Sequence, residues 1–253
     1  ENEIMRDLEQ GDIYTPEDFG VLAIYILGLS LLTILATGKY ENALYLPKNH
    51  KAVSRILDLS LTLSIIFSFF LMGLILLFGN LFWTYFEIEH SILWLFVLPA
   101  AIFISSHYVV LTQIAIRKAN YKQLSVSRVS QSLTFGLVAI AIGSLSLSFG
   151  LVVATFLGQF VAYLIIKKIG KHKYKFKNLS RLATAKRFVK FPIYMIPSGL
   201  LNVSSANMPL VILSSNFGLM FVGFYELVQR TLSVPSTFVG NSLGEVFKQQ
   251  ASD

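Results

Sequence analysis

The sequence contains no cysteine and few charged residues, and these two deficits exclude several classes of protein. Without cysteine there can be no disulfide and no thiolate metal site, so the sequence does not indicate a redox compartment. Charged residues make up only 14% of the chain, whereas hydrophobic residues make up 54%. Ordinary soluble domains are about 25% charged. The apolar runs are continuous and lack the two-residue alternation of a β-barrel. This composition predicts an all-α membrane protein.

Long apolar runs, separated by short polar stretches, account for most of the chain. They are Asp18–Thr37, Ile56–Gly79, Ile92–Ile116, Val129–Leu147, Leu151–Ile166 and the double-length region Phe188–Phe247. The last region is too long for one crossing and divides at Asn216–Gly218. About 20 helical residues cross a hydrocarbon core of roughly 30 Å, and every run except the fifth is comfortably that long. We therefore predict a polytopic transmembrane helical bundle of about seven spans.

Basic residues are concentrated at every second connection between these runs. Four of the 21 Lys and Arg residues lie in Lys39–Arg55, four lie in Arg117–Arg128, and ten lie in Lys167–Lys190. The alternate connections, Asn80–His90, Ser146–Gly150 and Ser214–Met220, contain none. The positive-inside rule places the three basic segments in the cytoplasm. Topology therefore accounts for the net charge of +7, and no nucleic-acid partner is expected.

The two ends of the chain suggest a piece of a longer protein. Glu1–Asp12 is polar and acidic and has no apolar core, so it is not a signal peptide. The predicted topology nevertheless places it outside, where a chain needs either a signal or a preceding helix. The chain also stops soon after its last span, at Gln249–Asp253. We expect it to be an interior fragment.

The first span begins with a recognisable helix start. Thr15 is suited to the N-cap position, Pro16 to the first helical position, and the acidic residues Glu17 and Asp18 to the positive end of the helix dipole. The span ends at Gly38.

Several strings in the sequence resemble one family of bacterial membrane proteins. They are YTPEDFG at 14–20, KYENALYLPKN at 39–49, FPIYMIP at 191–197, GFY at 223–225, Gln229-Arg230, Pro235 and FVGNS at 238–242. Together they resemble the polysaccharide biosynthesis proteins that flip lipid-linked oligosaccharides. This O-antigen flippase family belongs to the multidrug/oligosaccharidyl-lipid/polysaccharide exporter superfamily. The resemblance covers residues 13–253 and excludes the first twelve.

The resemblance implies a two-lobed transporter around a central cavity in the bacterial inner membrane. The chain would supply spans two to eight of a family that usually has twelve or more. Residues 1–12 are unmatched, residues 13–166 would form the first lobe, 167–187 a basic linker, and 188–253 the start of the second lobe. The implied partners are a lipid-linked oligosaccharide, the lipid bilayer and, on the same analogy, a polysaccharide polymerase and other assembly proteins.

A faint internal repeat at an offset of 203 residues is compatible with two lobes. Gly20, Leu29, Ser30 and Thr33 correspond to Gly223, Leu232, Ser233 and Ser236. Both copies run from outside to inside, as in a parallel transporter repeat. Small residues recur in membrane helices for other reasons, so a chance match is equally compatible with the pattern.

Charges inside a span are costly and usually functional, which directs attention to Glu226 and Arg230. Their i, i+4 spacing places them on one helix face, where they could pair. If the span begins near Leu219, Arg230 lies about 16 Å deep at 1.5 Å per residue. The pair is either a salt bridge that shields both charges or a cavity-facing cation that meets an anionic sugar or pyrophosphate.

The sixth and seventh spans are also rich in polar side chains and prolines. Asn202, Asn207, Gln229 and Asn241 are the amides we predict to line a cavity. Amides and hydroxyls in a membrane either join helices or line a path for hydroxyl-rich cargo. Packing alone explains any single one of them, whereas their density in two consecutive helices favours a cavity. By contrast, Ile56–Gly79 is nearly pure Leu, Ile and Phe and is expected to face lipid.

Other candidate chemistry is sparse. Of the four histidines only His107 lies within a span, where a helix–helix hydrogen bond is the expected role. No pair of carboxylates is spaced for acid–base catalysis. No glycine-rich phosphate loop is present, so ATP is not expected to drive the protein directly. We therefore predict no catalytic residue, no metal and no cofactor.

Three functions are compatible with these observations. A flippase for lipid-linked oligosaccharide needs a polar cavity, one or two cations and no catalytic dyad. An ion-coupled drug exporter of the same superfamily is expected to bury carboxylates in its first lobe, and none lies mid-span between Val21 and Ile166. A polymerase or glycosyltransferase needs a large outer loop, whereas the outer connections here have about five to eleven residues. The flippase is favoured, and the protein is predicted not to be an enzyme.

The charge distribution makes a direct prediction about topology. Since the native chain has no cysteine, single cysteines can be introduced without background. In intact cells, Lys51→Cys, Lys122→Cys and Lys173→Cys should resist an impermeant thiol reagent, whereas Glu89→Cys and Ser148→Cys should react. Labelling of Lys173→Cys from outside would overturn the whole orientation.

Overall fold

A computed structural model describes residues 13–86, 93–145, 149–167 and 178–232, and every regular element in these ranges is helical. The helices are α1 (Pro16–Thr37), α2 (His50–Phe86), α3 (Leu93–Arg117), α4 (Tyr121–Gly143), α5 (Gly150–Lys167), α6 (Asn178–Arg187), α7 (Lys190–Ala206) and α8 (Met208–Phe217). A ninth helix, α9, covers 219–232, and a 3-10 helix covers Tyr40–Tyr45.

The predicted all-α membrane bundle is confirmed. Five of the described helices are long and apolar enough to cross a bilayer, and the bent pair α7–α8 makes a sixth candidate span. The predicted seventh span is represented by α9, and the remainder of that span lies outside the described residues. On α2, Phe69 is 75% exposed and Leu77 is 79% exposed, which gives the outward apolar surface expected of a lipid-facing helix.

Helix α1 begins as the sequence predicts. The hydroxyl of Thr15 accepts a hydrogen bond from the Asp18 amide, and the Asp18 carboxylate accepts one from the Thr15 amide at 2.9 Å. This reciprocal capping box satisfies two backbone donors that the helix cannot satisfy itself. The helix ends at Gly38, whose φ of 60° is left-handed, and Lys39 follows with a φ of 56°. These two residues turn the chain sharply into the 3-10 helix.

Hydropathy places several helix boundaries incorrectly. Helix α4 begins at Tyr121 rather than at Val129, because the Asn120 side chain caps two polar turns that hydropathy does not detect. Helix α6 lies within the stretch predicted as a linker, and it packs against α2. The lobe division itself stays a prediction.

The sixth predicted span is broken in the middle. Helices α7 and α8 meet at Asn207 with a bend of 53°. Pro209 lies in the first turn of α8, where it has no amide hydrogen to donate to the preceding helix. The Asn207 side chain donates to the Val203 carbonyl at 2.8 Å, which provides a local partner at the break. The prolines noted in this span are compatible with a kink, but the sequence does not give its position.

The described parts of the three basic connections meet at one end of the bundle, which we call the basic end. Arg117, at the end of α3, donates hydrogen bonds to the carbonyls of Leu44 and Pro47. Tyr40 donates to the Ala185 carbonyl on α6, and Gln123 donates to the Ile165 carbonyl at 2.6 Å. At the opposite end, Tyr14 donates to the Ala139 carbonyl at 2.7 Å. The charge pattern predicted that basic connections share one end of the bundle, and these contacts agree with that prediction.

Helix α1 lies between the earlier helices and the later ones, as a central helix should. It packs against α2, α3 and α5, and it also contacts α7. Ala23 shares a buried cluster with Leu210 of α8 and Val222 of α9. A second, direct connection exists at the basic end, where Phe188 and Phe191 pack against a cluster formed by the 3-10 helix, α2 and α3. The later helices therefore contact the earlier ones both through α1 and directly.

The closest approach of α1 and α9 is made by two glycines. A Cβ on Gly20 would overlap the Leu219 carbonyl, and a Cβ on Gly223 would overlap the Pro16 carbonyl. A Cβ on Gly20 would also lie 3.3 Å from the Gly223 amide nitrogen. Gly20 and Gly223 are one of the pairs in the predicted repeat, and they lie against each other. Small residues allow membrane helices to approach in this way.

We expect Gly20→Ala to destabilise this crossing, because the added methyl group meets a backbone carbonyl that cannot move aside. Overpacking of this kind costs about 1–3 kcal/mol. Gly28→Ala, in the same helix, is the matched control, since a Cβ there meets nothing within 4 Å. The melting temperature of the purified protein in detergent should fall for Gly20→Ala and should not fall for Gly28→Ala. Equal melting temperatures for the two variants would show that the crossing is looser than described.

Candidate functional site

An open cavity of about 410 Å³ is lined by α1, α3, α4, α5, α7 and the segment that follows α1. This volume is within the range of roughly 300–1,000 Å³ typical of small-molecule sites. Its polar and charged lining residues are Ser30, Thr33, Thr37, Lys39, Glu41, Ser105, Gln131, Thr155 and Gln159. Its apolar lining residues are Ile26, Leu29, Ile34, Val109 and Val203. A mixed lining of this kind, inside helices that are otherwise strongly apolar, identifies the cavity as the candidate site.

Helix α1 supplies one wall of the cavity through a stripe of hydroxyl residues. Ser30, Thr33 and Thr37 are spaced at i, i+3 and i+7, which places them on one helix face. Ser30 donates to the Ile26 carbonyl at 2.8 Å, and Thr37 donates to the Thr33 carbonyl at 3.2 Å. The Thr33 hydroxyl is buried and has no hydrogen-bond partner in the described chain. The stripe therefore contains one buried hydroxyl without a hydrogen-bond partner among the described residues.

The facing walls come from α3, α4 and α5. Helices α4 and α5 approach closely, because a Cβ on Gly158 would lie 2.8 Å from the Gln131 carbonyl. This packing brings Gln131 and Gln159 to the same cavity wall. Thr155 donates to the Leu151 carbonyl at 2.9 Å. Ser105 is 3% exposed, and its hydroxyl also has no partner among the described residues.

The basic end of the cavity carries a buried carboxyl group. Glu41 is only 2% exposed, and its Oε2 atom has no hydrogen-bond partner in the part of the chain that the structure describes. Burial raises the pKa of Glu41 above its usual value, and a backbone hydrogen bond, the Lys39 ammonium and the Thr37 hydroxyl oppose this shift only in part. The carboxyl group is therefore easier to protonate than an exposed glutamate.

The 3-10 helix holds Glu41 in place through contacts on either side of it. Arg117 binds the Leu44 and Pro47 carbonyls, and Tyr45 donates to the Gln113 side chain at 2.6 Å. The left-handed turn at residues 38 and 39 directs this segment back against the bundle. Lys39 reaches α7, since a Cβ on Gly199 would lie 3.1 Å from the Lys39 Cε atom. Local backbone geometry and one arginine thus place a lysine and a glutamate at the same cavity end.

Arg230 and Glu226 form the ion pair that their spacing allows. The Arg230 Nε atom lies 3.1 Å from the Glu226 Oε1 atom. The Arg230 guanidinium also lies 5.9 Å from the ring of Phe19 on α1 and 6.0 Å from the ring of Phe135 on α4. These distances suit cation–π attraction. Arg230 therefore connects α9 to both of these helices.

The amides predicted to line a cavity are not among the residues described as lining this one. Asn202 is exposed, Asn207 donates to Val203 at the bend, and Gln229 donates to the Tyr225 hydroxyl at 2.8 Å. None of these three, nor Arg230 or Glu226, is among the residues lining the 410 Å³ cavity. Asn241 lies outside the described residues. Substrate contact by these residues stays a prediction.

Sequence reasoning missed the lining residues of the first five helices. Hydroxyl residues hardly lower the hydropathy of a span, so Ser30, Thr33 and Ser105 gave no signal on that scale. A helical-face analysis of α1 would have found its stripe. Nothing local in the sequence marks Glu41 as buried, because its position depends on Arg117 and on the left-handed turn.

His107 has the structural role expected from the sequence. It is 2% exposed, and its Nδ1 atom lies 2.8 Å from the Phe103 carbonyl and 3.3 Å from the Ser64 hydroxyl on α2. The imidazole thus links α3 to α2 and does not line the cavity.

Comparison with known proteins gives one match. The model of the polysaccharide biosynthesis protein family covers residues 13–253. No curated protein and no solved structure matched the chain. The family match begins at the residue where the sequence resemblance begins, and its extent includes every helix that forms the cavity. The chain is a multi-pass membrane protein, and it belongs to the polysaccharide biosynthesis protein family.

Proposed function

We propose that this protein translocates a lipid-linked oligosaccharide across the bacterial inner membrane for the assembly of cell-surface polysaccharide. The observation that carries the proposal is the open, partly polar cavity lined by membrane-spanning helices. A sugar chain crossing a bilayer needs hydrogen-bonding groups in place of water, because hydrocarbon offers none. Hydroxyls, amides and one carboxylate in the lining provide them. Family membership supports the polysaccharide context.

Transport rather than catalysis suits the composition of the site. The cavity contains one carboxyl group, Glu41, and no histidine lines it. Acid–base chemistry at a sugar bond ordinarily uses two carboxyl groups on either side of the bond. The proposed partners are the lipid-linked oligosaccharide, the bilayer, and a polymerase and assembly proteins that receive the product.

An ion-coupled exporter of the same superfamily is the second candidate, and Glu41 is the observation that favours it. The sequence argument against this function was the lack of a carboxylate mid-span in the first five helices. Glu41 lies after α1 in sequence, yet it is buried and lines the cavity. A buried carboxyl group with a raised pKa can bind and release a proton. The sequence argument against an ion-coupled exporter is therefore weaker than it was before Glu41 was placed.

Filling the cavity tests the primary proposal. Thr155→Trp should abolish the restoration of surface polysaccharide in a host strain lacking its own flippase, because the indole would occupy the space between α1, α4 and α5. Leu164→Trp on the same helix is the matched control, since Leu164 is 44% exposed and away from the cavity. Membrane insertion of both variants should be normal by immunoblot. Full restoration by Thr155→Trp would reject this cavity as the route, and ion-dependent drug resistance without polysaccharide would favour the exporter.

Arg230 is proposed to contact the acidic part of the cargo, with Glu226 as its resting partner. The guanidinium stays charged at any relevant pH and is tolerated in a span only with a suitable partner. Arg230→Ala should abolish flipping while leaving folding intact, and Arg230→Lys should restore it only partly because a point charge replaces a bidentate fork. If Arg230 is purely structural, Arg230→Ala combined with Glu226→Gln should recover transport. Recovery in that double variant would defeat the cargo-contact role.

A further inference from the structure

Two of the candidate membrane spans begin at the basic end with cations and without an acidic residue. The span of α2 begins at His50, and that of the bent pair α7–α8 begins at Lys190. Lys51 lies in the first turn of α2, and Arg55 lies one turn further on. Neither helix has an acidic residue in its first turn. The amino end of a helix carries partial positive charge, so both helix starts favour an anion that the chain does not place there.

The carboxyl end of α6 lies beside these helix starts and adds two cations, Lys186 and Arg187. Helix α6 packs against α2. Phe188, which follows α6, and Phe191 of α7 pack against the buried cluster to which Val53 of α2 contributes. In sequence, Val53 lies between the two cations of α2, and Phe188 lies between the cations of α6 and α7. This contact therefore gathers the cations of three helices in one region. We call it the basic patch, and it consists of Lys51, Arg55, Lys186, Arg187 and Lys190.

The basic patch has no exposed counter-charge in the described part of the chain. All five of its residues are exposed, and none forms an ion pair with another described residue. The described carboxylates nearest to it in sequence are Glu41 and Asp58. Glu41 is buried and Asp58 is half-buried. Clustered charges of one sign raise the local potential, so the partner that fits this surface is an anion.

Exposed apolar side chains beside the cations favour a phospholipid over a soluble anion. Leu182 of α6 is 64% exposed, and Val189 is also exposed. The Phe188 amide donates to the Thr184 carbonyl at 3.1 Å, so the helical turn continues past the end of α6. Leu182, Lys186 and Val189 are therefore spaced at i, i+4 and i+7 on one helix face. A face that combines basic and aliphatic side chains is typical of a helix at a membrane interface.

We propose that the basic patch binds the phosphate groups of anionic phospholipids, with Leu182 and Val189 against their acyl chains. The patch lies at headgroup depth, because the spans of α2 and α7 begin there. Setting the topology requires only that a loop is basic. A binding patch requires cations at particular positions, and this difference can be measured. The interaction is separate from the cavity and does not depend on the proposed transport function.

The lack of native cysteine allows a local measurement of lipid binding. Ala183→Cys, at an exposed position of α6, is labelled with bimane in the whole chain reconstituted in nanodiscs. Its quenching constants are measured for 5-doxyl phosphatidylglycerol and 5-doxyl phosphatidylcholine, which differ only in their headgroups. Ser125→Cys is the matched control, because it is exposed between Lys122 and Arg128 of α4. The phosphatidylglycerol-to-phosphatidylcholine ratio should be about two- to fivefold higher at residue 183 than at residue 125.

Variants in the Ala183→Cys background assign the contacts. Lys186→Gln combined with Lys190→Gln should lower the ratio to the value at residue 125. Lys122→Gln combined with Arg128→Gln removes the same charge from the same end of the bundle and should leave the ratio unchanged. Leu182→Ser keeps every cation and should weaken quenching by phosphatidylglycerol. Equal melting temperatures of the two double variants exclude unfolding as the cause.

Three results would overturn the proposal. Equal ratios at residues 183 and 125 would show that the basic end attracts anionic lipid without a preferred place. Equal loss in the two double variants would attribute the effect to net charge alone. Reversal of quenching by inorganic phosphate, beyond that by sodium chloride at the same ionic strength, would make the patch a site for soluble anions. No cargo is present in the measurement, so its result leaves the transport function to its own tests.

Discussion

A bilayer offers no hydrogen-bond partner to a polar group, and most side-chain positions in this bundle follow from that constraint. Hydroxyls within the spans donate to the carbonyl one turn earlier, as Ser30, Thr62 and Thr155 do. His107 has two partners, a carbonyl on its own helix α3 and a hydroxyl on the preceding helix α2. Polar groups that satisfy one another inside the protein make the helices compatible with lipid. The same constraint makes Thr33, Ser105 and Glu41 exceptions, because each has a buried oxygen without a hydrogen-bond partner among the described residues.

The exceptions at the cavity are held there by contacts at the basic end. Arg117 binds two carbonyls of the segment that follows α1, which fixes the 3-10 helix against α3. Behind it, Ala43 and Leu44 pack into a buried cluster with Ile56 and Val110. The carboxyl group of Glu41 is therefore buried by the surrounding structure, and its favourable interactions with the backbone, Lys39 and Thr37 offset only part of the cost of that burial. Such placement of a costly group is typical of functional sites.

The sequence predicted most of the architecture, for physical reasons that apply to any membrane chain. Length and apolarity identified the spans, and loop charge identified which connections share an end. The start of α1 followed from Thr15, Pro16 and Asp18, whose roles are local. Hydropathy gives little signal where polar residues form a helix. The first two turns of α4 and the whole of α6 were therefore missed.

The site was less predictable, because it depends on how helices face one another. Arg230 and Glu226 were found as a pair since their interaction is within one helix. Arg230's neighbours Phe19 and Phe135 are distant in sequence, and no periodicity connects them. The cavity residues Thr33, Ser105 and Gln159 come from three helices and are unremarkable individually. Glu41 looked like an ordinary loop residue until its tertiary contacts were known.

The glycine contact between α1 and α9 has a mechanical consequence. Lipid is as apolar as an aliphatic side chain, so helices in a membrane gain little from burying such side chains against each other. Backbone held against backbone is attracted by short-range dispersion and weak Cα–H···O contacts, which fade within a fraction of an ångström. At Gly20 and Gly223 themselves no side chain interdigitates, so a small separation of the two helices there loses most of this attraction. The neighbouring side-chain contacts, in the cluster of Ala23 and Val222 and between Arg230 and Phe19, must also be released before the helices can part.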